Sequence, residues 1–138
     1  MNITIDSSPQ DRDINVIYQG LSSYHATSFP DAQEQSLACY LRDEQGHIVG
    51  GVTGSLLYTS FYIKFLWLPE TLRGLGYGRQ LMTALEKAIM KQGVTHIFVD
   101  TFSNQAPNFY LKLDYIETGR LPHFPMHDVD RIYFTKAL

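Results

Sequence analysis

Most of the features that would move this sequence out of the ordinary soluble-domain class are absent. It has one cysteine, Cys39, so no intrachain disulfide framework can form, and Cys39 is expected simply to fill a strand. It has no run of about eighteen apolar residues, so no membrane-spanning helix is expected. It has no excess of cations: 11 Lys and Arg stand against 14 Asp and Glu, a formal net charge of -3, which speaks against a nucleic-acid groove built on clustered Lys and Arg. Residues 1–6 lack the basic-then-apolar pattern of a secretory signal, and a cytoplasmic protein is the expectation. No internal repeat and no linker interrupts the chain.

What is present fits one folded domain, residues 1–138. A chain of 138 residues, 44% hydrophobic and 18% charged, can bury a core and lies far from the disordered regime. Aromatics make up 13%, enough to line a pocket for a long, partly apolar ligand as well as to pack a core.

Periodicity orders the elements. Ile3 and Ile5 alternate with polar residues, as in a short strand. Pro9 suits the first turn of a helix whose one face carries Ile14, Ile17, Tyr18 and Leu21, ending near residues 22–25. Residues 26–34 allow a loop or a short helix from Pro30. Strands are expected over 36–42, 48–58 and 61–68, joined by short links into an antiparallel meander. Gly50, Gly51 and Gly54 point to bends or close backbone approach. A long helix follows the glycine turn after Pro69, with Leu81, Leu85, Ala88 and Ile89 inward and Gly93 closing its end. Then come a strand over 95–101, a short helix opened by Pro107, and strands over 115–121 and 131–136. The whole is a mixed α/β (α+β) domain.

The segment Arg73-Gly74-Leu75-Gly76-Tyr77-Gly78-Arg79 carries the clearest chemistry. It feeds a helix whose first-turn N–H groups lack helical acceptors and are partly positive. Glycines at 74, 76 and 78 leave room for a phosphate to approach the backbone. A dinucleotide fingerprint counted from Gly74 would need glycine where Arg79 stands. A mononucleotide P-loop would need Lys-Ser or Lys-Thr where Arg79-Gln80 stands. Neither reading fits well.

The Arg-x-x-Gly-x-Gly spacing from Arg73 to Gly78 resembles the acetyl-CoA loop of the GNAT superfamily of N-acetyltransferases. Phe65-Leu66-Trp67-Leu68-Pro69 is similar to that family's fourth strand. The stretch from Thr101 through Ala106 and Phe109-Tyr110 to Tyr115 resembles its second signature, and residues 131–138 resemble the last strand of many bacterial members. Over half the chain is covered. The resemblance implies a mixed, mostly antiparallel sheet flanked by helices and splayed at the family's fourth and fifth strands, where the pantetheine arm lies. By position, Leu66, Trp67 and Leu68 would offer backbone groups to the arm and the thioester carbonyl. Backbone N–H groups of Gly74, Leu75, Gly76, Tyr77, Gly78 and Arg79 would hold the pyrophosphate, with Arg73 adding charge or bracing the loop. Phe109 would line the thiol end. Ser103 stands where the family often has asparagine, so Asn104 could serve instead or cap the helix. Asp114 replaces a frequent glycine, at a turn that tolerates aspartate.

The resemblance implies acetyl transfer from acetyl-CoA to a primary amine, with the Tyr110 phenol donating to the leaving thiolate. The general base is open. Many members carry a glutamate on the fourth strand, whereas the only charge in residues 61–68 is Lys64. Candidates are His123, His127, Asp128 and Asp130, with His25 and Glu34 as N-terminal options. Tyr24, His25, Tyr58, Tyr62, Phe124 and Tyr133 could line the acceptor pocket. His123, His127 and Asp128 lack a recognised metal spacing, so no metal is expected. The acceptor could be a small-molecule or peptide amine. Family members often dimerise, though no segment here compels it. The alternative is a GNAT-fold module that binds or senses acyl-CoA without transferring it.

Overall fold

The computed structural model describes residues 1–138, which fall into two units, Met1–Ala32 and Gln33–Leu138. The first unit is one helix, α1 (Asp11–Ser28), with its flanking segments. Pro9 and an extended Gln10 precede it, and Asp11 and Asp13 favour its positive N-terminal end. Ile14, Ile17, Tyr18 and Leu21 share a face as their spacing predicts, but all are exposed.

Two expectations fail in this unit. Residues 1–6 form no strand, and Ile3 and Ile5 stand 98% and 94% exposed. Two alternating isoleucines with nothing to bury against do not offset the entropy of ordering a strand. The helix also runs past residues 22–25 to Ser28. Its late Ser23 and Thr27 sit within the helix, their hydroxyls bonded back to the Gln19 and Tyr24 carbonyls.

The second unit is a six-stranded sheet with two helices. Its elements are β1 (Gln35–Arg42), β2 (Ile48–Leu57), β3 (Ser60–Trp67), α2 (Tyr77–Met90), β4 (His96–Phe102), α3 (Pro107–Leu111), β5 (Ile116–Leu121) and β6 (Arg131–Ala137). The strand order is β1-β2-β3-β4-β6-β5. Only β3 and β4 run parallel. This is the mixed, mostly antiparallel sheet expected. A single 3-10 turn, Glu70–Leu72, separates β3 from the glycine turn. No helix is long and apolar enough to cross a membrane.

One sheet face carries the core. Leu81, Met82, Leu85 and Ile89 of α2 meet Val52, Phe61, Ile63, Ile97, Val99, Ile132 and Phe134 from four strands. Each side chain buried this way contributes at most about 1.5–3 kcal/mol. Cys39 is half-buried against the edge of this core, as a strand-filling residue should be. Glu86 ties α2 to the sheet: it accepts from Lys136 Nζ at 3.0 Å and from the Tyr115 hydroxyl at 3.1 Å. Burial, then the Glu86 charge, pushes the Tyr115 phenol pKa well up.

β3 and β4 pair only from Ser60↔His96 to Tyr62↔Phe98, and then separate. The cause lies on the other edge of β3. Its register with β2 jumps from Gly54↔Ile63 to Thr53↔Phe65, leaving Lys64 as an extra, unmatched residue. Such a bulge bends the strand that carries it. It also reverses the alternation: Phe61 and Ile63 face the core before the bulge, Leu66 and Leu68 after it. The splay is therefore built into β3 itself.

Candidate active site

The gap between the diverging strands is a cleft of about 1070 Å³. One wall is Ile63 to Leu68, followed by Arg73, Gly74, Gly76, Gly78 and Arg79. The other is Val99 to Phe102 with Asn104, Gln105, Ala106, Phe109 and Tyr110. Beyond Tyr62, β3 pairs only with β2, and the β4 edge facing the gap is unpaired as well. Unsatisfied backbone donors and acceptors therefore line both sides, which suits a ligand arm that carries amides. Val99 and Asp100 point to opposite sheet faces, yet both line the cleft, so the opening passes through the sheet.

The glycine turn sits at one end of this opening. Gly74 and Gly76 take φ of +71° and +88°, the left-handed region, and no other residue type adopts both so cheaply. Gly76 directly precedes α2, with no side-chain cap on the helix. First-turn N–H groups are thus left for an anion. Gly78 has a different reason to be glycine. A Cβ there would lie 2.9 Å from the Phe109 ring, so its bareness lets α2 and α3 approach, whereas at Gly74 nothing lies within 4 Å.

The two arginines of the turn brace it. Arg73 Nε donates to the Leu68 carbonyl at 2.9 Å, fixing the turn to the end of β3. Arg79 donates to the Lys112 carbonyl at 3.1 Å, closing the end of α3. Leu75 and Tyr77 do not line the cleft; Leu75 is 62% exposed and Tyr77 lines a smaller hollow with Leu41 and Thr71. The Ser103 hydroxyl accepts the Asp130 N–H at 2.9 Å and the Ser103 N–H donates to the Asp130 carbonyl, which pins the loop before β6. Asn104, not Ser103, faces the cleft.

Tyr110 is 6% exposed, with its ring against Phe109, Tyr115 and Phe134. Burial, then the nearby Asp100 charge, pushes its pKa up to about 12. The phenol is protonated throughout the physiological range and can only donate to an anion there.

The polar groups expected as bases are scattered. His123, His127 and Asp128 are exposed, lie in the loop before β6 and do not line the cleft. The two imidazoles stack at 4.8 Å, and each residue brings one ligand-type atom within 4.8 Å of the others. His123 Nδ1 accepts the Asp128 N–H at 3.1 Å, so its neutral form carries the proton on Nε2. Asp130 is bound to Arg120, which holds its carboxyl below the usual range. Glu34 is likewise lowered, by the Ser55 hydroxyl and by Lys64, whose ammonium lies 3.1 Å away. His25 lies in the last turn of α1.

The one carboxylate that lines the cleft, Asp100, was placed by sequence reasoning on the strand face away from Ile97 and Val99 but given no role at this site. Asp100 Oδ1 accepts the Tyr62 hydroxyl at 3.0 Å, and Oδ2 accepts Arg131 Nε and Nη2 at 2.8 Å. Its partners lie 38 and 31 residues away, so only the alternation of 95–101 could have marked it as facing away from the core. Tyr62, Phe98 and Tyr133 stack beside it with centroids 5.1 and 5.8 Å apart.

Comparison with known proteins agrees with this architecture. The model of the acetyltransferase (GNAT) family matches residues 9–115. An acetyltransferase of Agrobacterium fabrum, Atu2258, is 23% identical over 121 residues, 88% of each chain. A crystal structure of an acetyltransferase from Bacillus cereus superposes with a TM-score of 0.86 at 30% identity over 98% of each chain. An aminoglycoside 6'-N-acetyltransferase solved with coenzyme A shares the fold, at a TM-score of 0.62 and 19% identity over 94% of this chain and 95% of that one. The chain belongs to the GNAT acetyltransferase family and is an acetyl-CoA-dependent acetyltransferase.

Proposed function

We propose that this protein transfers the acetyl group of acetyl-CoA to the nitrogen of a primary amine, by direct attack within a ternary complex. The observation that carries this reading is the position of Tyr110, a buried phenol lining a through-sheet cleft whose other end is a helix N-terminus. The turn from Gly74 to Arg79 supplies N–H groups for the pyrophosphate. The free β3 edge at Leu66–Trp67–Leu68 supplies donors for the arm and the thioester carbonyl, and Phe109 forms the apolar wall near the sulfur. The amine attacks as its neutral form, and the negative charge then moves to the leaving sulfur. Tyr110 donates to that sulfur. A phenol near 12 is a weaker acid than a thiol near 8.5, so the hydrogen bond to the developing charge is the main contribution. Full proton transfer is balanced by the proton the amine gives up.

His123, His127 and Asp128 stand outside the cleft, so any of them would take the amine proton through water. The chemistry needs no metal. We place the activity in the cytoplasm, the compartment expected from the sequence. Small-molecule and peptide amines are both acceptors of the right chemistry, and pairing of two copies is compatible with the same site.

The test is thiol release from acetyl-CoA across a panel of amines, for the wild type and Tyr110→Phe. Expected is catalytic turnover in the wild type and a loss in kcat, with acetyl-CoA affinity nearly unchanged, in the variant. Equal kcat would remove Tyr110 from the chemistry. The missing acid on β3, a strand on which many members carry a glutamate, favours a second reading as a module that binds acyl-CoA without transferring it. Acetylated product formed catalytically from any amine would end that reading.

A further inference from the structure

The Asp100–Arg131 pair does more than lock β4 to β6. Arg131 spends Nε and Nη2 on a single carboxylate oxygen, Oδ2. A guanidinium has five N–H groups, so Nη1 is left to donate outward. Oδ1 takes only the Tyr62 hydroxyl and has lone-pair capacity left. The side chains are 13% and 31% exposed, for Asp100 and Arg131 respectively, so neither is sealed from solvent. The second charged pair of this region, Lys64 with Glu34, is also internally neutral. The Asp100–Arg131 pair itself, with its charges balanced, favours neither a plain cation nor a plain anion. What the pair presents is a free acceptor beside a free donor, which is complementary to a molecule that is itself both cation and anion.

The order of the two ends is fixed by the cleft. Asp100 lines it and Arg131 does not. Arg131 lies farther out, over the rings of Phe124 and Tyr133 at 5.8 and 5.5 Å. Asp100 is therefore the member of the pair at the opening, and an amine nitrogen would be met there. A carboxylate bound to Nη1 is held away from it, under the loop before β6.

Resting on the transfer reading above, the geometry points to a zwitterionic acceptor: a small amino acid or similar amine that carries its own carboxylate. Asp100 Oδ1 receives its amine N–H and Arg131 Nη1 its carboxylate. Asp100 and Arg131 are thus specificity-determining residues for the acceptor. Loss of one charge-assisted hydrogen bond is expected to lower selectivity about tenfold or more.

The experiment compares each protein amino acid with its own carboxamide as acceptor. The amine is retained and the carboxylate charge removed; because the amide also lowers the amine pKa, rates are compared per concentration of neutral amine. Thiol release is measured in the wild type, Arg131→Gln and Arg131→Lys, with acetyl-CoA affinity measured in parallel by calorimetry. Expected in the wild type is a kcat/KM at least about tenfold higher for one or more acids than for the matching amide. Arg131→Gln should abolish that preference through KM with acetyl-CoA affinity unchanged, and Arg131→Lys should restore part of it. Should Arg131→Gln fold poorly, Arg131→Lys carries the test alone: its acid preference should fall below that of the wild type, and an unchanged preference would count against the assignment. Amides turned over as well as acids by the wild type, or an acid preference that survives Arg131→Gln, would overturn the assignment while leaving amine transfer intact. Binding of acetyl-CoA with no thiol released by any acid or amide would instead overturn transfer itself, and the acceptor assignment with it.

Discussion

The two faces of β4 were made by the same alternation and ended in different trades. Ile97, Val99 and Thr101 are buried at 1%, 2% and 8% against the core below α2. Phe98, Asp100 and Phe102 are half-buried on the other face, in a row with Tyr62, Tyr133 and Arg131. The first face is generic: any set of apolar side chains of similar volume would hold it. The second is specific, because Asp100 holds two particular partners there, Tyr62 and Arg131. The splay at Lys64 is what joins them, opening a passage from a structural face to a chemical one. Stability should therefore respond to changes on one face, and turnover to changes on the other.

The largest effect should come from putting a charge on the wrong face. Val99→Asp buries an unpaired carboxylate and is expected to cost more than about 4 kcal/mol, enough to unfold the protein at room temperature, as circular dichroism would read. If that variant folds normally, the core face has been misassigned. Tyr110→Phe comes next: kcat is expected to fall about 10²-fold with melting temperature nearly unchanged.

Alkaline titration gives an effect of similar size. Tyr110 is raised from 10.0 to about 12 in the folded protein, so the folded state holds its proton more tightly than the unfolded one. Stability from this group is complete below pH 10 and is lost as pH rises toward 12, by up to about 3 kcal/mol. The raised Tyr115 phenol adds in the same direction. Denaturant midpoints across that window should fall less steeply for Tyr110→Phe than for the wild type. Gly78→Ala is expected to cost about 1–3 kcal/mol by pressing a methyl group on the Phe109 ring, and to weaken acetyl-CoA binding with it. Smallest should be Lys64→Gln, which breaks an exposed ion pair and should change stability by less than about 1 kcal/mol.

The division between legible and illegible parts follows the range of the interactions. The glycine turn could be read because the left-handed Gly74 and Gly76, and the helix they open, lie within a few residues. So could Phe109-Tyr110, placed by Pro107 in the first turn of α3. The strands were legible from alternation and punctuation, to within a residue or two. Asp100 was not, because its meaning comes from Tyr62 and Arg131 on two other strands. Nor was the cause of the splay, since a bulge at Lys64 depends on register with β2. The second purpose of Gly78 was hidden for the same reason. The assignment of Ile3 and Ile5 to a strand failed in the opposite way: a local pattern was present, but no long-range partner met it.

One measurement bears most directly on the central claim, that the turn before α2 and the split sheet behind it hold acetyl-CoA. Acetyl-CoA is titrated by calorimetry into the wild type and into Gly76→Val, whose side chain cannot adopt φ of +88° without strain. Saturable one-to-one binding is expected in the wild type. A loss of affinity of about tenfold or more is expected in the variant, with its circular dichroism spectrum unchanged. Equal affinity in the two proteins, or no binding in the wild type, would contradict it.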